Sequence, residues 1–258
     1  MIDFHCHILP GIDDGAKDWA ESLATAQYLS QQGVTGVVAT PHYMEGFFTP
    51  SAAIVLPLVG ELQERINQAG ITLQIYPGCE AQLTPDLPEL VQQGQVLTIN
   101  NQGKYLLVEL PFYEIPRYTE DILFRLRLAG VTPILAHPER NEELARDIDQ
   151  VAKLVNQGCL IQLNLGSLHG MFGSTAEKAA RKLLKRGLVH VVGSDMHGME
   201  REVRVAEVMR GVCIRDELAL AILKGGFELS NRDETACADN DDQVNSGLLQ
   251  RLKNLLKD

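Results

Sequence analysis

The chain has 258 residues, 45% hydrophobic and 22% charged, a composition that suits a soluble globular protein and leaves room for one α/β barrel domain. Its 23 Lys and Arg against 34 Asp and Glu give a formal net charge of −11, which argues against broad binding to nucleic acid or insertion into an anionic membrane. The five cysteines are scattered with no CxxC pair, and no signal-peptide pattern or run of eighteen apolar residues occurs, so a cytoplasmic protein without a disulfide framework is expected.

Asp3-Phe4-His5-Cys6-His7 reads as a first strand. Side chains two apart on a strand share a face, so His5 and His7 converge while Phe4 and Cys6 are expected on the other face. The Pro- and Gly-containing loop 9–15 follows, then an amphipathic helix over 19–32 closed by Gly33. The almost continuously apolar stretch 34–40 predicts a strand buried on both faces that ends at Pro41-His42. A helix over 51–69 leads to a strand over 71–76, which terminates at Pro77-Gly78-Cys79-Glu80. The segment 85–103 predicts a short helix and a hairpin arm, the latter on the turn chemistry of Asn100-Asn101-Gln102-Gly103.

Strand 105–108 then ends at Glu109, and helix 119–129 introduces strand 132–136, which ends at His137-Pro138-Glu139-Arg140. Helix 149–156 precedes strand 160–164. Helix 175–186 precedes strand 188–193, which ends at Ser194-Asp195-Met196-His197. Seven strands alternating with helices predict right-handed parallel βαβ units, and that number suits a barrel. The barrel is expected to span 1–230. An acidic linker and a short amphipathic helix carrying Leu248, Leu249, Leu252, Leu255 and Leu256 are expected over 231–258, for docking or oligomerisation.

His5, His7, His42, Glu80, Glu109, His137, Asp195 and His197 all fall at the C-terminal ends of predicted strands, and Asp14 can lean over the same rim. In a parallel β/α barrel that rim is where active sites are built. The other two histidines serve as controls: His190 is expected as a satisfied core imidazole and His169 as a loop residue. Imidazole and carboxylate without thiolate suit Mn²⁺, Zn²⁺, Fe²⁺ or Co²⁺, and nine side chains are too many for one ion, so a di- or trinuclear cluster is expected.

These blocks, from Phe4-His5-Cys6-His7-Ile8-Leu9-Pro10-Gly11-Ile12-Asp13-Asp14-Gly15 through Thr40-Pro41-His42, Gly78-Cys79-Glu80, Val108-Glu109-Leu110-Pro111, His137-Pro138-Glu139-Arg140 and Gln162-Leu163-Asn164-Leu165-Gly166-Ser167 to Ser194-Asp195-Met196-His197, resemble the PHP-domain protein-tyrosine phosphatases of bacterial capsule and exopolysaccharide loci. The resemblance implies a distorted TIM-like (β/α)7 barrel, the PHP domain, with three divalent metal ions, commonly Mn and alternatively Fe, Zn or Co. It implies one ion on His5, His7, Glu80 and Asp195, a second on Glu80, Glu109 and His137, and a third on Asp14, His42 and His197. Arg140 and Arg201 would hold the phosphate, with Arg201 preferred over Arg204 although it comes one position early.

The implied reaction is attack of metal-bound hydroxide on phosphotyrosine. The implied partner is the C-terminal tyrosine cluster of a bacterial tyrosine kinase that controls polysaccharide export, and the chain could act as a homo-oligomer. No cysteine is followed six residues later by arginine, so the Cys-x5-Arg thiolate loop is absent. Two competing readings are a phosphoesterase for a small metabolite such as histidinol phosphate and an idle metal-binding module that docks a kinase.

Overall fold

The computed structural model describes residues 1–199, 203–209 and 216–225; Arg201 and the linker and helix expected over 231–258 lie outside them. Nine strand segments form two all-parallel ladders. In the first, β1 (Ile2–Cys6), β2 (Gly36–Ala39) and β4 (Gln74–Pro77) lie in that order. In the second the order is β3 (His42–Tyr43), β5 (Glu80–Gln82), β6 (Tyr105–Glu109), β7 (Thr132–Ala136), β8 (Leu160–Asn164) and β9 (Val191–Gly193).

β2 and β3 are halves of one strand interrupted at Thr40-Pro41, where proline has no amide to give to a ladder, and β4 and β5 are halves interrupted after Pro77. Counted through these breaks, the described residues contain the seven parallel strands expected. The sheet curls until its two ends meet. Asp195 N–H donates to the His5 carbonyl at 2.7 Å and His7 N–H to the Met196 carbonyl at 3.0 Å, so β1 lies beside the exit of β9.

Helices α1 (Trp19–Gln31), α2 (Ala52–Gln68), α4 (Thr119–Leu128), α6 (Ile148–Asn156) and α7 (Gly173–Lys185) pack outside the sheet through Leu29, Leu62, Ile122, Val151 and Leu183. Inside it, Ile2, Phe4, Val38, Tyr105, Leu107, Ile134, Leu160 and Val191 form a second apolar cluster. After the short α8 (Val205–Met209), helix α9 (Asp216–Leu223) closes the bottom of that cluster with Ala219, Ile222 and Leu223. Asn100 Nδ2 and Gln102 Nε2 donate to the Leu223 carbonyl at 3.0 and 2.7 Å and fix it there.

The two-residue period explains which side chains reach the upper rim. Interior rows run Val38, Thr40, His42 on one strand; Leu107, Glu109 on β6; Leu160, Gln162, Asn164 on β8; and Val191, Gly193, Asp195 on β9. The period is broken at His137, just past β7, and within β1. Between Asp3 and Cys6, β1 spans three residues where β2 spans two, and this bulge lets Phe4 point into the barrel below the histidines while Cys6 joins the helix-facing core. The expectation that Phe4 and Cys6 share a face is corrected by that bulge.

Three further boundaries differ from expectation. No hairpin arm forms over 85–103: α3 (Leu87–Gln92) is followed by a 3-10 turn, Ile99–Asn101, with Asn100 and Asn101 both at φ 52°, and the turn feeds a parallel strand. An extra helix, α5 (Glu142–Arg146), starts where Asn141 Oδ1 accepts the Leu144 amide at 2.9 Å. β9 is confined to its last three residues because His190 bonds sideways to β8: its Nδ1 accepts the Ile161 amide at 3.1 Å. His190 is thus the satisfied core imidazole, and His169 is exposed.

Candidate metal centre

All nine sequence-predicted rim residues converge in one cluster. His5 and His7 present their Nε2 atoms to each other at 3.0 Å. Asp195 Oδ1 lies 3.4 Å from the first and 3.5 Å from the second. Glu80 stands in the middle: its Oε2 is 3.0 Å from His42 Nδ1, 3.2 Å from His5 Nε2 and 3.5 Å from His7 Nε2, while Oε1 is 2.9 Å from His137 Nε2. Glu109 Oε1 is 3.6 Å from the same His137 nitrogen. Asp14 Oδ1 reaches His42 Nε2 at 3.5 Å and His197 Nε2 at 3.4 Å.

Three overlapping groups have donor atoms close enough to share an ion: His7, Asp14, His42 and His197; His5, His7 and Glu80; and His42, Glu80 and Glu109. Compared with the expected sets, His7 sits also with the Asp14 group, and His42 approaches Glu80 and Glu109 as well as Asp14.

Two of these residues arrive through unusual backbone. His137 has φ 29° and Asp195 φ 53°, conformations that residues other than glycine seldom adopt and that cluster where surrounding structure fixes a side chain for a task. At His137 the turn brings a residue that a regular β7 would face outward onto the inner rim.

Residues behind the cluster set its orientation. Asp13 Oδ2 accepts from His7 Nδ1 at 2.8 Å and from the His42 amide at 3.0 Å. Gln162 Oε1 accepts from His5 Nδ1 and from the His137 amide, both at 3.1 Å. Because these acceptors hold the Nδ1 protons, the network assigns bare, lone-pair-bearing Nε2 atoms to His5 and His7. Asn164 Nδ2 donates to Asp195 Oδ2 at 2.8 Å, and Arg140 meets the same oxygen at 2.5 Å. Beneath them, buried Glu139 accepts from the Asn164 amide at 3.0 Å and from Ser167 Oγ at 2.8 Å.

The donor set fits divalent cations. Two bare imidazole nitrogens 3.0 Å apart, with carboxylate oxygens on either side, need positive charge between them. Glu80 Oε2, enclosed by three imidazole nitrogens, has no hydrogen-bond partner among the described residues, as an oxygen shared between ions would not. Burial and the neighbouring charges of Glu80 and Asp195 push Glu109 up to about 9, so the protein's own cations do not balance these carboxylates. Burial opposes ionisation of Glu80 and Asp195 too, but the imidazoles, His5 foremost, hold both well below the usual carboxylate range. Asp14, hydrogen-bonded to His197, is lowered to about 2.

Of the two expected phosphate-binding arginines, Arg140 stands at the edge of the cluster, and Arg201 lies outside the described residues. Arg204 is exposed and pairs with Glu207 at 3.5 Å. Sequence reasoning gave no role to Asp13, Gln162, Asn164, Glu139 or Phe112. For Gln162 and Asn164 a signal existed: two amides in register on a strand whose five residues are all buried must serve a polar neighbour.

Fold and cluster define a class, α/β barrels with a candidate metal centre on the strand-end rim. The family model for capsular polysaccharide synthesis, CpsB/CapC, matches residues 1–215. The tyrosine-protein phosphatase YwqE of Bacillus subtilis is 37% identical over 200 residues, 78% of this chain and 78% of that protein. The tyrosine-protein phosphatase CpsB of Streptococcus agalactiae serotype III is 32% identical over 219 residues, 83% of this chain and 90% of its own. A crystal structure from the set on YwqE from Bacillus subtilis and CpsB from Streptococcus pneumoniae, described as unique metal-dependent tyrosine phosphatases, superposes with a TM-score of 0.81 at 33% identity, covering 89% of this chain and 96% of the other. The chain belongs to the CpsB/CapC family.

Proposed function

We propose that the chain is a metal-dependent protein-tyrosine phosphatase of the capsule or exopolysaccharide type, acting at the rim cluster. The observation that carries this reading is the nine-residue His/Asp/Glu cluster with a guanidinium at its edge, in a chain whose relatives are named tyrosine-protein phosphatases. Three divalent ions, Mn²⁺ foremost, are assigned to His5, His7, Glu80 and Asp195, to Glu80, Glu109 and His137, and to Asp14, His42 and His197. When bound, such ions supply charge neutralisation of a phosphate dianion and a water acidified towards neutral pH.

The chain's own residues do the rest. Arg140 holds two phosphate oxygens with its fork, exchanging Asp195 for substrate, and Arg201 is assigned the opposite side. Asp13 and Gln162 keep the imidazoles aimed. A tyrosine leaving group has a pKa of about 10, so no strong dedicated acid is required. Cys6 and Cys79, beside the cluster but fully buried with thiols pushed well up by burial, take no part.

A cleft of about 550 Å³ lies next to the ends of β3 and β5. It is lined by Tyr43, Glu45, Ser51, Gln82, Asp86 and Gln95 among others, starting one residue beyond His42 and two beyond Glu80. The C-terminal tyrosine cluster of a bacterial tyrosine kinase is the partner proposed. A cytoplasmic setting suits the three free thiols found among the described residues, Cys6, Cys79 and Cys159. The barrel domain is assigned to 1–230, with 231–258 as an appended linker and helix.

The test compares hydrolysis of a phosphotyrosine peptide with that of histidinol phosphate. Preference for the peptide, with kcat/KM reduced about 10²-fold or more in Arg140→Ala, is expected from loss of a charged contact to the reacting phosphate. Preference for histidinol phosphate would move the function to small-molecule metabolism, and no turnover of either would leave an idle docking module.

A further inference from the structure

The Arg140 guanidinium lies over two aromatic rings. Its Cζ lies 4.8 Å from the ring centroid of Phe112 and 4.1 Å from that of Phe172. Phe112 belongs to the loop after β6, three residues beyond Glu109, and also stacks on His137 with centroids 6.0 Å apart and planes 23° from parallel. Phe172 precedes α7 on the far side.

Both rings are built into the frame. The Phe112 carbonyl accepts the Glu142 amide at 2.7 Å, and Asn141 Nδ2 ties the same loop down through the carbonyls of Pro111 and Glu114 at 2.6 and 2.9 Å. Phe172 fills space that Gly166 leaves open: a β-carbon there would come within 3.1 Å of the ring. Yet Phe112 remains 40% exposed, an outlay of apolar surface at the mouth of a polar site that packing alone does not explain.

We infer that Phe112 and Phe172 are specificity-determining residues that select aryl over alkyl phosphate esters. The inference rests on Arg140 as the phosphate clamp and deepens that reading. A phosphate held by two N–H groups of this guanidinium lies in the guanidinium plane, and Cζ is 4.8 Å from one ring centroid and 4.1 Å from the other. The ester substituent therefore leaves the phosphate in the neighbourhood of Phe112 and Phe172. An aromatic substituent there gains ring contacts, whereas a serine- or threonine-like carbon leaves both rings facing water. Tyr113, the next residue, is 77% exposed and has no such place beside Arg140.

The experiment measures calorimetric affinities of the Mn²⁺-loaded full chain for benzylphosphonate, an uncleavable analogue of an aryl phosphate, and for methylphosphonate, which lacks the ring. Taking the ratio of the two removes whatever each substitution does to the phosphate clamp itself. Wild type is expected to favour benzylphosphonate. Phe112→Leu and Phe172→Leu, which keep apolar bulk, should each lower that preference about three- to tenfold, the range of an aromatic pair, while Phe112→Tyr retains it. An unchanged ratio in both leucine variants, with Arg140→Ala still weakening both ligands, would overturn the inference and leave the clamp intact. Arg140→Ala without effect on either ligand would overturn the clamp and the inference together.

Discussion

Asp13 illustrates how a residue outside the cluster governs it. Its carboxylate accepts a hydrogen bond from His7 Nδ1 at 2.8 Å. The proton is thereby held on Nδ1, which leaves Nε2 to face the cluster. Asp13→Asn keeps the shape but can turn an amide N–H towards that nitrogen. Metal affinity is expected to fall about 10- to 100-fold, measured by titrating Mn²⁺ into chelated protein. Unchanged affinity would show that the pair is only a packing contact. The cluster residues were legible in the sequence because imidazoles and carboxylates stood at one strand end after another. Asp13 was not, since Asp13 and Asp14 are alike as letters and only the fold turns one behind His7 and the other over the rim. The same applies to Phe112, which in sequence is one aromatic residue in the loop between Pro111 and Pro116.

At the scale of elements, site geometry depends on how closely β1 and β9 approach. Gly193 lies where a β-carbon would overlap the His5 β-carbon and crowd Gln162 Nε2 at 2.7 Å. Gly193→Ala must therefore push β9 away from β1. A loss of about 1–3 kcal/mol in denaturant unfolding is expected from overpacking, together with weaker Mn²⁺ binding. Stability and metal affinity both at the wild-type level would contradict this close approach. β8 and β9 are joined lower down by His190. Burial pushes its pKa down to about 4, against a weaker opposing backbone hydrogen bond at Leu188. Since the unfolded chain takes up a proton near pH 6.5 and the folded chain does not until about pH 4, stability falls as pH drops between these values. The single group accounts for about 2 kcal/mol between pH 7 and pH 5. His190→Asn should lose correspondingly less stability over that interval; equal losses in the two proteins would remove His190 as the cause. Most elements could be read from periodicity within two or three residues. The bulge in β1 and the positive φ of His137 could not, because neither uses glycine and both follow from pairing with distant strands.

For the molecule as a whole, the alternation of seven strands and their helices was enough to indicate the barrel, whereas its closure between His5, His7, Asp195 and Met196 and the plug formed by α9 depend on contacts more than 100 residues apart in sequence. That closure brings the first and last strand ends, and hence His5, His7, Asp195 and His197, into one centre. This centre is expected to hydrolyse phosphotyrosine only when it holds metal. The most direct measurement is phosphate release from a phosphotyrosine peptide by chelated protein as Mn²⁺ is restored, with bound metal per chain followed in the same samples for wild type and Glu80→Gln. Turnover is expected to be absent after chelation and to rise with bound metal until about three ions per chain are held. Glu80→Gln should bind fewer ions and lose about 10²-fold or more in kcat. Full turnover by the metal-free chain, or wild-type metal content and activity in Glu80→Gln, would contradict the account.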